Sequence, residues 1–300
     1  MVLRPVNPSD VFSVQGVYPG FRPAALPAVP GLEGLAVVEA HGEGAGKIAK
    51  GTRVVTIWPT WPASSGNGTW QQYICVPEDI LVTVPDGLAD EVAAQFLVNP
   101  VTVVGMVEVL QIPKGEWLIQ DGAGSVLGRQ MIQYAKLKGL KTINVVRRQE
   151  QAQELLDLGA DAVICSSTEN VAERAKEITG GKGAYAGTDA VAGEMLSQII
   201  CSVRRKGTIL NYGAMSGITF TASVADILFG LKTLTGFWLP QWLATLSQEK
   251  VHAIAQEVLQ LLKEGKLTPY SGKTFALEDA KAAIAHATKD ARGGKVFLKG

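Results

Sequence analysis

A glycine-rich turn between an apolar run and a helical pattern is the segment of this sequence best suited to chemistry. Gly122, Gly124 and Gly128 directly follow the run Trp117–Gln120. Glycines at such a turn let the backbone approach a pyrophosphate, and the free amides at the next helix start hydrogen-bond its oxygens. The spacing is one residue wider than G-x-G-x-x-G, and such a motif alone is weak evidence. Because strand, turn, helix and second strand follow in order, a dinucleotide site is favoured over an ordinary strand-to-helix loop.

The end of the second strand, which would face the ribose of a bound nucleotide, carries two arginines. A carboxylate about twenty residues beyond the glycines would accept hydrogen bonds from a free 2′-hydroxyl. Arg147 and Arg148 occupy that place here. Because guanidinium groups bind phosphate through a fork of donors, the pair favours NADPH over NADH.

Two later strand ends carry further candidate contacts. Ligands of open α/β sheets lie outside the carboxyl ends of the strands. The alternative is that the glycines at these ends only permit tight turns. The residues expected to line the cofactor groove are Val191, Ala192, Tyr212, Gly213, Ala214 and Met215.

Composition excludes several classes of partner. The 300 residues contain 28 basic and 28 acidic side chains, and no run of like charges forms a tail, so we expect no nucleic-acid partner. The most apolar stretch, 222–246, is interrupted by Asp226, Lys232 and Pro240, so we expect no membrane partner. A small neutral ligand or a locally bound anion agrees better with this balance.

The cysteines and histidines are scattered without metal-ligand spacing, so we expect neither a disulfide framework nor a metal site. Any redox chemistry should then come from an organic cofactor. The N-terminus has no apolar signal-like segment, so we expect a cytoplasmic protein, or one of the mitochondrial matrix if a targeting segment precedes Met1. These residues are Cys75, Cys165, Cys201, His41, His252 and His286.

The pattern of elements divides the chain into parts. Residues 1–100 are rich in proline, glycine and β-branched residues, with strand-like runs such as 70–74. Residues 101–265 alternate strands with helical patterns, which predicts an α/β protein with a doubly wound parallel sheet. Gly159 is placed to end a helix in the left-handed conformation. Residues 266–300 return to a different pattern, with one helix and a final strand.

Seven short motifs connect the chain to a known family. They are Asn7-Pro-Ser-Asp10, Gln15-Gly-Val-Tyr18, Gly31-Leu-Glu-Gly34, Gly68-Thr-Trp70, Val98-Asn-Pro100, Tyr212-Gly-Ala-Met215 and Gly236-Phe-Trp-Leu-Pro-Gln-Trp242. With them, nearly the whole chain resembles the medium-chain dehydrogenase/reductase superfamily, in its zinc-independent quinone oxidoreductase-like branch. It is most similar there to the mitochondrial type of trans-2-enoyl-thioester reductase. Zinc-dependent relatives have a histidine where Leu32 stands.

The resemblance implies an architecture. A GroES-like β domain would comprise residues 1–100 and 266–300, with a Rossmann domain at 101–265 and the active site in the cleft. Relatives normally have further strands before the point where this chain begins, so we expect the first strands of the β domain to be missing. Such a loss would expose a sheet edge.

The resemblance also implies an activity. A hydride from NADPH would reduce the 2,3 double bond of an enoyl-CoA or an enoyl group on acyl carrier protein, and Tyr18 would donate a proton to the α-carbon. Asn99 would bind the nicotinamide ribose or amide, although an asparagine there could instead cap a helix. Lys295 matches a position near the 2′-phosphate. The other implied cofactor contacts are Gly124, Ser125, Val126, Leu127, Phe237, Trp238 and Leu239. Trp238 and Trp242 would also line the slot for the acyl chain, although indoles in this apolar stretch could equally belong to the core or to a dimer interface.

Two other functions stay open at this point. A quinone or alkenal reductase would use the same fold and cofactor but would not need a carbon acid. A non-enzymatic NADPH-binding protein, like the crystallin members of the superfamily, would keep the cofactor and lose the chemistry. A homodimer is expected from the habit of the family.

Overall fold

The computed structural model describes residues 1–57, 66–289 and 292–300. The chain forms two compact units. Unit 1 comprises Met1–Thr102 and Leu239–Gly300, and unit 2 comprises Val103–Trp238. Strands β1 to β12 and helices α1 to α11 are numbered in chain order. None of the helices in the described ranges is long and apolar enough to cross a membrane.

Unit 1 is built on a mixed sheet in which the two chain ends are paired. Its strands in the described residues are β1 (Leu3–Val6), β2 (Leu35–Val37), β3 (Arg53–Thr56), β4 (Leu81–Thr83), β11 (Ser271–Ala276) and β12 (Lys295–Lys299). Their order is β11-β12-β1-β2-β3-β4. Pairing is antiparallel except between β11 and β12. Because Leu3 lies opposite Lys299 and Val6 opposite Val296, the first and last strands of the chain are hydrogen-bonded neighbours within the sheet.

The helices of unit 1 cover this sheet and extend its core. They are α1 (Pro8–Val14), α2 (Asp90–Ala94), α9 (Leu239–Ala244), α10 (Gln248–Lys263) and α11 (Ala280–Ala287), with a π-helix at Leu97–Val101 and single 3₁₀ turns at Glu78–Ile80 and Leu277–Asp279. α11 buries Ala283 and Ala287 against Val6, Val296 and Leu298 of the sheet. Apolar side chains of alternate sheet residues therefore meet one stripe of a helix.

One predicted strand is wrong. Residues 70–74 are rich in residues that favour strands, but the structure has irregular backbone there. The carbonyls of Thr69 and Gln71 accept hydrogen bonds from the guanidinium of Arg4, at 3.2 and 2.5 Å. Because the buried side chain of Arg4 takes these acceptors, they are not part of a strand ladder.

The helices α9 and α10 lie in a different unit from the one that the sequence division assigns. That division continues the nucleotide-binding part to residue 265, whereas both helices belong to unit 1. α10 buries an apolar face that includes Val251, Ile254 and Val258, and it packs against the π-helix and α2. Helical periodicity shows that a face is buried but not which neighbouring core receives it.

Unit 2 contains the predicted parallel sheet, which the structure confirms. Its strands in the described residues are β5 (Trp117–Gln120), β6 (Lys141–Val146), β7 (Ala162–Cys165), β8 (Ala184–Asp189), β9 (Val203–Asn211) and β10 (Thr233–Gly236). The order is β10-β9-β8-β5-β6-β7, and every pair is parallel. The chain builds outward from β5 through β6 to β7, and then returns to the other side of β5 at β8. The β5/β8 boundary is therefore the topological switch point, beside which open α/β sheets bind their ligands.

The helices of unit 2 are α3 (Thr102–Leu110), α4 (Val126–Leu137), α5 (Ala152–Leu158), α6 (Val171–Ile178), α7 (Gly193–Ser202) and α8 (Val224–Leu228), with a 3₁₀ turn at Gln149–Gln151. Gly159 ends α5 with φ of 110°, so the predicted left-handed cap is confirmed. α6 and α7 pack on one face of the sheet, against β-branched residues of its central strands such as Ile119, Ile143 and Ile209. The near-continuous apolar character of these strands reflects burial on both faces.

Candidate functional site

The turn after β5 places helix amides and glycines together, as the sequence predicts. Ser125 is the N-cap of α4, and its hydroxyl accepts a hydrogen bond from the Gly128 amide at 3.0 Å. Val126 and Leu127 are the first helical residues, whose amides have no carbonyl to bond within the helix. The Val126 side chain is buried, so this residue can contribute to anion binding only through its backbone. These amides and the helix dipole form a site for a phosphate group.

Gln151 is a neighbour of this turn that the glycine motif did not reveal. A Cβ added to Gly124 would lie 2.3 Å from Gln151 Nε2, so the amide group packs directly on the glycine. Gln151 ends the 3₁₀ turn that follows the arginine pair. The signal in the sequence was only its position four residues after Arg147.

The arginine pair lies at the carboxyl end of β6. Arg147 and Arg148 are both exposed. The backbone around them is fixed by the next strand, since the Ser166 amide donates to the Val146 carbonyl at 2.8 Å and Cys165 Sγ donates to the Arg147 carbonyl at 3.5 Å. Two guanidinium groups are thus carried on rigid backbone at the same sheet edge as the phosphate turn.

The segments after β9 and β10 reach the same edge. The Met215 amide donates to the Ala190 carbonyl at 3.2 Å, and a Cβ on Gly213 would lie 2.5 Å from that oxygen. Only glycine allows this close approach. The Phe237 amide donates to the Asn211 carbonyl at 2.8 Å, which leaves Phe237 buried and Trp238 40 % exposed. Tyr212, Gly213, Ala214, Met215, Phe237 and Trp238 all follow carboxyl ends of strands in unit 2.

Two buried carboxyl groups at the switch point were not recognised from the sequence. Asp121 follows β5 and Asp189 ends β8, and the two side chains are 1 % and 0 % exposed. Asp121 Oδ1 accepts the Ala190 amide at 2.7 Å, and Asp189 Oδ2 accepts the Asn211 side-chain amide at 2.5 Å. Burial and the facing Asp189 carboxyl raise the pKa of Asp121 well above its usual range. The Asp121 carboxyl therefore keeps its proton to a higher pH than an exposed aspartate does.

Tyr212 contributes a buried hydroxyl beside this pair. Its oxygen has no hydrogen-bond partner among the described residues. Burial, together with the negative potential of Asp121 and Asp189, raises the pKa of its phenol well above 10. The hydroxyl therefore stays protonated, and it is a donor available to a ligand that enters the switch point.

In unit 1, the loop after α1 holds Tyr18 by both of its backbone groups. The Tyr18 amide donates to the Phe12 carbonyl at 3.1 Å, and its carbonyl accepts from the Phe21 amide at 3.1 Å and from Arg22 Nη1 at 3.0 Å. Gly16, with φ of 74°, makes the turn that brings the chain back to Phe12. The side chain is half-buried. The sequence indicates Tyr18 as a candidate, but it does not reveal the hydrogen bonds that hold both backbone groups of this residue.

Asn99 lies in the π-helix of unit 1 and is 8 % exposed. The amides of Leu97 and Val98 donate to Glu33 Oε2 at 2.9 and 2.8 Å. The alternative role of Asn99, as the cap of a helix, does not apply, because Asn99 lies inside the π-helix. Leu239 also belongs to unit 1, where it begins α9.

Lys295 is buried in unit 1, whereas the resemblance implies that it contacts the 2′-phosphate of the cofactor. It is 1 % exposed in β12, and its ammonium group donates to Asn7 Oδ1. Burial lowers its pKa to about 8, against the opposing effect of Glu33. A buried ammonium bonded within its own unit has no surface to offer a phosphate, so its assignment as a 2′-phosphate contact is corrected.

These features define what the site can do. Unit 2 offers helix amides, two exposed guanidiniums and a protonated phenol along one sheet edge, which fits the pyrophosphate, ribose phosphate and ring of a dinucleotide. For metal chemistry, the described residues contain no group of three or more His, Cys, Asp or Glu able to hold an ion. The helix amides and guanidiniums of this edge are donors suited to an anionic organic cofactor.

Two family models match the chain. The model described as alcohol dehydrogenase GroES-like domain matches residues 2–86, and the model described as zinc-binding dehydrogenase matches residues 126–263. The β-rich N-terminal part and the parallel-sheet part are thus those of the predicted fold class, which is confirmed. The name of the second model refers to a metal for which the described residues offer no ligand set.

Curated relatives match over almost the whole chain. A mitochondrial enoyl-[acyl-carrier-protein] reductase from Arabidopsis thaliana is 33 % identical over 290 residues, which is 95 % of this chain and 75 % of that protein. The enzyme of the same name from Homo sapiens is 32 % identical over 303 residues, covering 99 % of this chain and 79 % of that protein.

Solved structures also match over the whole length of this chain. A protein named as an NADPH:quinone reductase from Bacillus thuringiensis has a TM-score of 0.91 and 30 % identity, with 100 % of this chain and 88 % of that chain covered. The Etr1p complex with NADP and crotonyl-CoA has a TM-score of 0.86 and 25 % identity, with 100 % and 89 % covered.

The raised pKa of Asp121 predicts a pH-dependent stability. Because the folded state raises the Asp121 pKa above its unfolded value, it binds the proton more tightly, and the free energy of unfolding falls as pH rises from about 4. Asp121→Asn keeps an acceptor for the Ala190 amide and removes this titration. We expect the difference in melting temperature, variant minus native chain, to become more positive as the pH rises from 5 to 8.

The control is Asp86→Asn, which removes an exposed carboxylate from unit 1. Thermal unfolding followed by circular dichroism at several pH values measures the effect. Melting curves of Asp121→Asn that run parallel to those of the native chain at all pH values would show that Asp121 is ionised in the folded state.

Proposed function

This chain belongs to the medium-chain dehydrogenase/reductase superfamily and to its family of mitochondrial-type enoyl-[acyl-carrier-protein] reductases, and from that membership we propose that it reduces trans-2-enoyl thioesters with NADPH. The 2,3 double bond of an acyl chain on CoA or on acyl carrier protein is the group reduced. The observation that supports this most strongly is the combination of whole-chain identity to these reductases with Tyr18 and the sheet-edge site of unit 2. It is an oxidoreductase that acts on C=C bonds.

The residues of unit 2 are assigned to holding the cofactor. The amides at Gly124, Ser125, Val126 and Leu127 bind the pyrophosphate, and Arg147 and Arg148 bind the 2′-phosphate. The backbone after β9, from Tyr212 to Met215, and the Phe237–Trp238 segment contact the nicotinamide half. In unit 1, Asn99 is assigned to the ribose or the carboxamide, and Leu239 to the same half. When bound, NADPH supplies the hydride that adds to the β-carbon.

Tyr18 is assigned as the proton donor. Hydride addition leaves negative charge on the thioester oxygen, and the α-carbon must then take up a proton. A phenol is protonated near neutral pH, and it can give both a hydrogen bond and a proton. The three backbone hydrogen bonds at Tyr18 fix where this phenol is presented. Trp238, which is partly exposed, is assigned to the wall that excludes water from the acyl chain.

Tyr18→Phe tests the proton transfer. We expect kcat for NADPH oxidation with trans-2-hexenoyl-CoA to fall about 100-fold or more, because general acids of this kind contribute about 10²–10⁴-fold. NADPH binding, measured by fluorescence, should stay unchanged. Tyr73→Phe, at an exposed tyrosine of the same unit, is the matched control.

The same assay with an aromatic quinone separates the second candidate function. The Bacillus thuringiensis structure, whose name specifies quinone, favours that alternative. Reduction of a quinone does not need a carbon acid, so quinone turnover that exceeds enoyl turnover and is indifferent to Tyr18→Phe would move the chain to that function. Tight NADPH binding without turnover of either substrate would indicate a protein that has lost the chemistry.

Arg147→Ala and Arg148→Ala test the cofactor assignment. Because a charge-assisted hydrogen bond contributes about 1.5–3 kcal/mol, we expect Kd for NADPH to rise about 10- to 100-fold while Kd for NADH changes little. Lys141→Ala, at the opposite end of β6, is the control. Equal weakening of both cofactors would show that the arginines do not contact the 2′-phosphate.

We also propose that unit 2 pairs with a second copy of this chain. Within the described residues β10 pairs with β9 alone, and its sequence, Thr233-Leu-Thr-Gly236, has neither the charges nor the proline that protect free sheet edges. The neighbouring helix α8 buries none of its residues, and Val224 and Phe229 are 73 % and 72 % exposed. An antiparallel pair of identical edges is self-complementary about a two-fold axis, so a second copy satisfies both the edge and the apolar surface.

The combined variant Val224→Glu and Phe229→Glu tests this pairing. Sedimentation velocity should show two copies for the native chain and one for the variant, because charges on the apolar surface would be desolvated on pairing. Leu156→Glu, on α5 of the same unit, is the control and should leave the mass unchanged. A native chain that sediments as a single copy, or a variant that still sediments as two, would contradict the proposal.

A further inference from the structure

Glu33 is a buried carboxylate of unit 1 that the proposed chemistry does not use. It is 1 % exposed, and the groups that donate to its carboxylate all belong to the same unit. Oε1 accepts the side-chain amide of Asn7 at 2.9 Å, and Oε2 accepts the amides of Leu97 and Val98 at 2.9 and 2.8 Å. Burial raises its pKa, whereas the hydrogen bonds and the nearby Lys295 oppose that effect.

The two backbone contacts of Glu33 interrupt a helix. α2 ends at Ala94, and the chain continues through Gln95 and Phe96 into the π-helix. In an uninterrupted α-helix, the Leu97 and Val98 amides would donate to the carbonyls four residues earlier. Glu33 accepts both amides instead. The carboxylate therefore satisfies the two amides at the point where α2 has stopped and the segment that carries Asn99 begins.

Lys295 fixes the orientation of the other partner. Its ammonium group donates to Asn7 Oδ1, so the Asn7 Nδ2 group must point to Glu33. Rotation of the Asn7 amide by half a turn would place NH₂ against NH₃⁺, which is donor against donor. The chain from Lys295 through Asn7 to Glu33 consequently has one satisfied arrangement.

We propose that Glu33 is a positioning residue for Asn99: the Lys295–Asn7–Glu33 chain sets the start of the π-helix and thereby aims the Asn99 carboxamide at the nicotinamide nucleotide. This inference rests on the cofactor role assigned to Asn99 under the proposed function. It requires no contact between Glu33 and the cofactor, and its effect passes through the backbone of Leu97 and Val98.

Glu33→Gln is the first test. Its amide has a single acceptor oxygen, so either Asn7 Nδ2 or the Leu97 and Val98 amides must face an NH₂ group. We expect kcat/KM for NADPH to fall about 10- to 100-fold, in proportion to the loss of a buried hydrogen bond to a charged group. Kinetics and NADPH fluorescence titrations are measured well below the melting temperature of each variant.

A second variant restores the arrangement by exchanging the two groups. In the double variant Glu33→Gln with Asn7→Asp, the one remaining side-chain oxygen at position 33 accepts the two backbone amides. The new NH₂ group at position 33 donates to the new carboxylate at position 7. That carboxylate also accepts the hydrogen bond from the Lys295 ammonium group. The number of heavy atoms and the net charge of the network stay the same. We expect the double variant to recover most of the lost kcat/KM, which an unrelated folding defect would not do.

The control is Thr56→Val. Thr56 is buried in β3 of the same unit, and its hydroxyl has no hydrogen-bond partner among the described residues. This substitution removes a buried polar group from unit 1 and leaves the hydrogen bonds of Asn7, Glu33 and Lys295 in place. We expect less than about a twofold change in kcat and in KM for NADPH, because Thr56 shares no hydrogen-bond partner with that chain.

Asn99→Ala separates this inference from the function on which it rests. If Asn99→Ala weakens NADPH binding and Glu33→Gln adds nothing in that background, the two residues act as one unit and the proposal holds. If Asn99→Ala matters but Glu33→Gln lowers only the melting temperature, Glu33 is structural and the proposal is wrong. If Asn99→Ala has no effect, the cofactor role of Asn99 fails and the positioning role falls with it, while enoyl turnover by the native chain still tests the activity.

Discussion

A carboxylate that is removed from water must be satisfied by hydrogen bonds and opposite charge, and unit 1 is organised around one such group. Glu33 accepts hydrogen bonds from two stretches that are far apart in the chain: Asn7 at the start of the first helix, and the Leu97 and Val98 amides after α2. Asn7 in turn accepts a hydrogen bond from Lys295 of the last strand, so one chain of polar groups connects β12 and the N-terminal segment to the backbone beside Asn99.

Unit 2 also contains buried carboxyl groups, and these are satisfied in a different way. A parallel sheet collects the carboxyl ends of its strands at one edge, which also collects the side chains that end those strands. At the switch point this brings Asp121 against Asp189, a pair of like charges whose hydrogen-bond donors in the described part of the chain are amides. A proton held on Asp121, whose pKa is raised, relieves the repulsion and reduces the negative charge at the edge where a polyanionic cofactor is proposed to bind.

The sequence predicted the parts of this structure that depend on local pattern. The strand, glycine turn and helix around Gly124, the arginines that end β6 and the left-handed cap at Gly159 are set by residues close together in the chain. Lys295 could not be placed this way, because lysine is usually exposed and its partner Asn7 lies 288 positions away. The run 70–74 has strand propensity, but the distant Arg4 side chain donates to the Gln71 carbonyl within it and to the Thr69 carbonyl just before it. The sequence of α10 shows an apolar stripe, but it does not show whether that stripe packs in the core of unit 1 or of unit 2, because this depends on tertiary contacts.

The missed residues share a physical property that explains both why they were missed and why they matter. Glu33, Asp121 and Asp189 are ionisable groups with almost no exposed surface. Burial of such a group is costly in the folded protein unless several partners converge on it, and those partners come from different elements. Backbone held by such a group cannot shift without breaking more than one hydrogen bond at once. Glu33 accepts hydrogen bonds from the backbone amides of Leu97 and Val98, directly before the proposed binding residue Asn99. A buried carboxylate with such partners therefore holds the backbone of the binding residue in a defined position.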